Sequence, residues 1–293
     1  MSQPRADLAI IGGSGFYDMP GASDWEEVVL DTPFGPPSDA VRIGGIAGRR
    51  VAFLARHGRG HRLLPAEIPQ RANLWALKTL GVQRVVAVSA VGSLSERLGP
   101  GAFVVPDQII DRTNGVRPAT FFGDGVVAHV GMAAPYCEAL RGALCLAAGG
   151  SSVPVHSEGS LVVIEGPAFG TRAESHLYRQ WGASLVGMTG IPEAKLAREA
   201  ELCYALLATV TDYDSWHESE ATVDAATVFR VLRENVATAQ QVVLRLIASL
   251  GEDRDCDCGR ALDSALVTPP DAISPAALAR LAPILDRRLG GTP

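Results

Sequence analysis

Thr211, Asp212, Tyr213 and Asp214 follow directly on an apolar run, residues 205–210, with the length and composition of a buried strand. Two carboxylates two residues apart, just past the C-terminal end of such a strand, stand where open α/β sheets place their ligands. They can accept from an exocyclic amine, and one that keeps its proton can donate to a ring nitrogen. Thr211 adds a hydroxyl, and Tyr213 and Trp216 add rings. Taken alone, the stretch reads equally as a strand leaving into an acidic, solvated loop.

Four other strand ends carry polar chemistry. Residues 8–11 run into Gly12-Gly13-Ser14-Gly15, a turn whose backbone N–H groups and Ser14 hydroxyl suit an anion. Gly13-x-Gly15, with Asp31 after a second strand, also resembles a dinucleotide fingerprint, but Asp18 replaces the third glycine and Pro20-Gly21 breaks the helix that should follow. A strand at 51–54 ends in Arg56, His57, Arg59, His61 and Arg62 among glycines. That is a cationic concentration whose guanidinium forks fit phosphate oxygens; the alternative is a solvated basic turn. Ser89-Ala90 follows a β-branched strand at 84–88, and Met188-Thr189 follows a strand at 183–186. Phe169, between glycines past the strand at 161–164, could stack on a flat ligand or simply pack a turn.

Positioning these groups on one edge calls for a parallel-rich α/β sheet. The remaining pattern supplies strands at 28–30 and 102–105. A hairpin of 41–43 and 51–54 is joined through Gly44-Gly45, and helices fall at 71–80, 135–148, 173–180, 193–202, 222–249 and 275–288. Residues 111–125 read as a mobile, glycine-rich loop able to cover a site, and 253–257 as a flexible connection; His129 stands alone beyond the first. No repeat or linker divides the 293 residues, so the expectation is one domain over 1–250 with an extension, 251–293, packed on it or trailing from it.

A net charge of −6 without a long Lys/Arg run disfavours a nucleic-acid partner. No apolar run approaches ~20 residues, so no membrane span is expected, and the N-terminus lacks a signal-peptide core. Five cysteines suit a reducing cytosol. Cys256-Asp257-Cys258 could hold a strained disulfide or half a metal site, but no second Cys/His pair of zinc spacing accompanies it, so no metal is expected.

An anion pocket beside a pocket for a base, without a cofactor loop, is what phosphorolysis of a nucleoside requires. Ile10-Ile11-Gly12-Gly13-Ser14-Gly15, Asp31-Thr32-Pro33-Phe34-Gly35, Leu54-Ala55-Arg56-His57-Gly58, Ala72-Asn73-Leu74-Trp75-Ala76-Leu77-Lys78, Glu165-Gly166-Pro167 and Thr211-Asp212-Tyr213-Asp214-Ser215-Trp216 resemble the 5′-methylthioadenosine phosphorylases of the purine nucleoside phosphorylase superfamily. The resemblance covers residues 8–249. It implies a single α/β domain with a central mixed β-sheet flanked by helices, usually assembled as a homotrimer. The reaction it implies takes 5′-methylthioadenosine and phosphate, a co-substrate, to adenine and 5-methylthioribose 1-phosphate, with no cofactor.

By resemblance, phosphate falls to Ser14, Arg56, His57, Ser89, Ala90 (through its backbone) and Thr189. Met188 underlies the ribose, and Thr211, Asp212 and Asp214 hold the base. His61, Val228 and Phe229 lie near the methylthio group, Phe169 flanks the purine, and His129 reaches a neighbouring subunit's site. Charge assigns the catalytic pair: Asp212 as the acid at N7, Asp214 accepting from the 6-amino group, with mutual repulsion raising one pKa. Ala168-Phe169-Gly170 departs from the family's Arg-Phe-Ser and loses a hydroxyl, so the purine is expected to shift or gain a water. Gly187-Met188-Thr189-Gly190 also resembles members that prefer 6-oxopurines, the second choice of substrate. Two readings from other classes remain at this point, a nicotinamide oxidoreductase and a non-catalytic nucleoside-binding module.

Overall fold

One ten-residue strand organises the chain. It is the fifth of eleven strands among the described residues, which in this computed structural model are 5–13, 16, 19–217 and 225–290. Ser14 lies outside them, as do the side chains of Val228 and Phe229. The strands are β1 (Leu8–Gly12), β2 (Ser23–Val28), β3 (Val41–Ile46), β4 (Arg49–Ala55), β5 (Arg84–Ser93), β6 (Phe103–Val104), β7 (Gln108–Arg112), β8 (Val155–His156), β9 (Ser160–Ile164), β10 (Leu185–Gly187) and β11 (Cys203–Asp212). The longer helices are α1 (Gln70–Thr79), α2 (Glu138–Gly149), α3 (Arg172–Gln180), α4 (Gly190–Glu199), α5 (Ala225–Ser249) and α6 (Pro275–Leu289).

The sheet is mixed, in the order β2-β3-β4-β1-β5-β10-β9-β7, and β11 branches from β5 to carry β6 and β8. β4, β1, β5 and β11 are parallel. β1 is buried throughout and alternates between two cores. Ala9 and Ile11 join Leu74 and Leu77 of α1, Ala194 and Leu196 of α4, and the tail. Leu8 and Ile10 join Leu140 and Leu144 of α2 and Val243 and Leu246 of α5. Burial on both faces is why these central strands read as unbroken apolar runs. No helix among the described residues is long and apolar enough to cross a membrane.

Several expectations shift. The second strand is Ser23–Val28, earlier than residues 28–30. As a polar edge strand it has no apolar run to reveal it, and Trp25, edge-on to Phe53 at 5.3 Å, and Val28 anchor it. The hairpin turns at Ala47-Gly48, both at positive φ (49° and 77°), the geometry of a type I′ turn, while Gly44-Gly45 lie inside β3. Between β1 and β2 the described residues form no helix, and β2 pairs antiparallel with β3. A dinucleotide fold needs a helix after its glycine loop and a parallel second strand.

The loop expected to be a mobile cover is anchored. Phe121 is fully buried, and its N–H and the Thr120 hydroxyl both donate to Glu199 (2.7 Å each). The flexible connection is also tied down: Arg84 donates to the Glu252 carbonyl (3.2 Å) and Arg254 to that of Glu201 (2.9 Å).

The tail packs into the body. Ile273, Leu281, Ile284 and Leu285 enter the α1 core, and Trp75 Nε1 donates to the Arg280 carbonyl at 3.0 Å. Glu201, 1% exposed, holds it from beneath: it accepts from Arg287 Nε (2.7 Å), Arg287 Nη2 (2.6 Å) and the Leu262 N–H (3.0 Å). Truncating Glu201 leaves the Leu262 N–H unpaired and removes a carboxylate from an arginine that is 43% exposed. Glu201→Ala should therefore lower unfolding stability by about 1–3 kcal/mol in urea titrations; an unchanged midpoint would rule out the clamp.

Candidate active site

β10 runs antiparallel to β5, pairing Leu185 with Ser93 and Val186 with Gly92. It therefore starts at the far end of β5 and runs back along it. Residues 188–189 arrive beside the middle of β5 rather than at a shared C-terminal edge. Ser89 and Ala90 lie inside this strand, not past its end. The result is a hydroxyl pair, Ser89 Oγ and Thr189 Oγ1, 3.0 Å apart. Both line a cavity of about 320 Å³, as do Ala90 and Met188.

Arg56 and His57, at the end of β4, line the same cavity. The expected concentration of cations is largely compensated. Arg56 is 2% exposed and forms a bidentate pair with Glu193 of α4, donating through Nε to Oε1 and through Nη2 to Oε2 (3.2 Å). It also donates to the carbonyls of Val88 (3.0 Å) and Ile11 (3.4 Å). Glu193, fully buried, accepts a further bond from the Tyr204 hydroxyl at 2.8 Å. Arg59 pairs with Glu27 at 2.9 Å and with Asp39, and Arg62 lines the cavity from an exposed position.

His57 is neutral. Burial pulls its pKa down to about 4, and the Arg56 charge adds to that. Its Nδ1 is 2.8 Å from the Leu63 carbonyl, which can only accept, so Nδ1 bears the proton and Nε2 the lone pair. His61 stacks on this ring at 4.2 Å between centroids and also lines the cavity.

The other side of the cavity holds the carboxylates. β11 extends through Thr211 and Asp212, so both belong to the strand instead of following it. Its register against β5 slips between Val210, opposite Val91, and Asp212, opposite Gly92. Such a bulge re-aims side chains. Asp214, at φ 51°, then brings a second carboxylate to the same wall. Gly92 makes the room: a Cβ there would stand 3.0 Å from Asp212 Oδ1 and 3.3 Å from Asp214 Cβ.

Burial pushes the pKa of both carboxyl groups up, against the hydrogen bonds they accept. Mutual repulsion is secondary: it adds to Asp214 only, so desolvation is the principal cause. Asp212 Oδ1 accepts from the Asp214 N–H at 2.8 Å, and Oδ2 lies 2.7 Å from Thr211 Oγ1, which in turn lies 3.2 Å from the Val91 carbonyl. The Thr211 hydroxyl, donating to Asp212, and the Asp214 N–H both favour the ionised carboxylate, so it is burial that raises its pKa against them. Ser175 of α3 donates to Asp214 Oδ2.

Phe169 lines the cavity from a 43% exposed position. His129 is exposed and is absent from the cavity lining; its backbone N–H donates to the Ala265 carbonyl.

Sequence reasoning missed three supports. Glu193 drew attention only as a helix start. Arg117, in the supposed cover, is buried and donates to the carbonyls of Met188 (2.7 Å) and Ile191 (2.9 Å) and to Glu165. Gly166, at φ 66°, is where a Cβ would meet Met188 Sδ at 2.5 Å. Local spacing also did not reveal that Cys137 and Cys203 lie beside Cys256 and Cys258, so that four thiols come together.

The phosphorylase superfamily model matches residues 7–248. The S-methyl-5′-thioadenosine phosphorylase of Chloroflexus aurantiacus is 55% identical over 282 residues, 96% of this chain and 98% of that one. A methylthioadenosine phosphorylase from an Antarctic soil metagenomic library superimposes with a TM-score of 0.92 at 50% identity, covering 97% of this chain and all of that one. A variant adenosine/methylthioadenosine phosphorylase of Schistosoma mansoni, solved with methylthioadenosine, gives 0.83 at 36% identity over 92% of this chain and all of that one. Strand topology and residue match agree, and the chain belongs to the phosphorylase superfamily.

Proposed function

We propose that this chain cleaves 5′-methylthioadenosine with inorganic phosphate, giving adenine and 5-methylthioribose 1-phosphate, and uses no further cofactor. Relatives of that name at about half identity support it. The observation that carries it is the two-sided cavity, with a hydroxyl pair beside a compensated Arg56 on one side and two buried carboxyls of raised pKa on the other.

Breaking the glycosidic bond leaves positive charge on the ribose and negative charge on the purine. Asp212 gives its proton to N7, so adenine leaves neutral. The C1′–N9 electron pair goes to the base, and a phosphate oxygen forms the new bond to C1′. Ser89, Thr189, the Ala90 backbone and Arg56 hold that phosphate, with Ser14 as a further donor, and its own charge stabilises the cation. His57 is a neutral participant, its Nε2 suited to accept from a monoprotonated phosphate. Met188 underlies the ribose, fixed by Arg117 and Gly166. Thr211 orients Asp212, Asp214 accepts from the 6-amino group, and Phe169 flanks the ring. The methylthio group is assigned to His61, Val228 and Phe229.

The proposal includes a cytosolic homotrimer. Leu177 of α3 and Trp181, which caps its C-terminal end, are 40% and 45% exposed, an apolar pair that assembly would cover. His129, on the outer surface, would then meet a neighbour's cavity. Light scattering coupled to gel filtration should give three times the chain mass; a monomer at working concentration would contradict this.

Asp212→Asn keeps the shape and removes the transferable proton. It should lower kcat for methylthioadenosine by about 10²–10⁴-fold. Because burial raises the pKa of Asp212, its acid form persists to higher pH than an ordinary carboxyl and is lost as pH rises through that value. The wild-type rate should fall on that alkaline side, and the variant should lack that limb. An unchanged limb in the variant would remove Asp212 as the acid.

Asp214→Asn exchanges a pure acceptor for an amide that can also donate. Assayed side by side, it should shift preference from methylthioadenosine toward methylthioinosine, whose 6-oxo group only accepts. An unaltered ratio would show that Asp214 does not read the 6-position.

A further inference from the structure

Cys137, Cys203, Cys256 and Cys258 come from three regions of the chain, yet their Sγ atoms all lie within 4.8 Å of one another. Cys203 begins β11, Cys137 caps α2, and the other two belong to the tail. Cys203 Sγ and Cys256 Sγ are 3.3 Å apart. Three are buried and Cys256 half-buried, within the core that includes Leu140 and Ala205. None lines the cavity.

We propose that these four cysteines form a tetrathiolate site for one divalent zinc-type metal, which fastens the tail to the body. Four sulfurs around a tetrahedral zinc lie about 2.3 Å from the metal and therefore about 3.8 Å from each other. The four Sγ atoms, with one pair at 3.3 Å and all within 4.8 Å of one another, bracket that spacing. Sulfur is the ligand type that selects zinc over the harder magnesium and calcium. Binding moves four thiol protons to bulk water, and each sulfur gives a lone pair to the metal, so the complex carries two net negative charges.

The surroundings offset that charge. Cys137 is the N-cap residue of the twelve-residue α2, at the positive end of the helix dipole. Arg254, two residues before Cys256, lays its guanidinium against Gly259, whose added Cβ would stand 2.3 Å from Nη2. The metal would close the chain between residues 137 and 258 and add to the Glu201 clamp on the same tail. Cys145, half-buried and outside the cluster, serves as a control.

The test uses the full chain, produced in zinc-replete cells and kept reduced and free of oxygen. Elemental analysis should find one zinc per chain, lost in the Cys256→Ser/Cys258→Ser double variant and retained in Cys145→Ser. Reconstitution with cobalt(II) should give the sulfur-to-metal charge-transfer and visible bands of a tetrahedral tetrathiolate. Chelation should raise amide exchange across residues 251–290 and leave kcat for methylthioadenosine unchanged. Metal retained by the double variant would place it elsewhere and overturn the proposal. So would a reduced protein with free thiols and neither zinc nor cobalt bands, or an intact mass four hydrogens low, meaning two disulfides. Should the double variant fail to fold, the cobalt spectrum of the wild-type chain decides.

Discussion

The Arg56–Glu193 pair ties more of this molecule together than any other contact at the site. Through one guanidinium and one carboxylate it joins the end of β4, the Ile11 carbonyl of β1, the Val88 carbonyl of β5, the first turn of α4 and Tyr204 of β11. Two buried charges survive only because every oxygen and most N–H groups are matched, and deleting either would leave the other unpaired in an apolar setting. A consequence for binding follows. The Arg56 charge is already balanced, and His57 is neutral at physiological pH. On the proposed function, phosphate would be recognised by directed hydroxyls and N–H groups more than by a net positive field.

The opposite wall works by a complementary constraint. Asp212 and Asp214 are largely removed from water, and desolvation raises the pKa of both above that of a surface carboxyl. The bulge in β11 and the absence of a Cβ at Gly92 are the backbone conditions for placing both there. In the proposed reaction this would place an acid beside the leaving group.

The buried central strands and the polar groups at their ends were legible because burial on both faces leaves apolar runs, and a run that stops abruptly marks an edge. Arg56, His57, Ser89, Thr189 and the aspartates all reach one cavity, as the motifs imply. What escaped notice depends on contacts between distant segments. Nothing local pairs Glu193 with Arg56, or tells that Arg117 of a polar loop lies under Met188. The antiparallel turn of β10 is invisible in a short apolar run, although it is what joins Thr189 to the middle of β5. The four thiols were missed for the same reason: zinc spacing is a local signal, and this cluster spans more than a hundred residues.

Cleavage by phosphate, as opposed to water, is the central claim. Phosphorus NMR of a reaction containing the chain, 5′-methylthioadenosine and inorganic phosphate tests it most directly. The inorganic phosphate signal should convert to that of a sugar 1-phosphate in step with adenine release, and no adenine should appear when phosphate is withheld. Adenine formed without phosphate, with free methylthioribose as its partner, would contradict this reading.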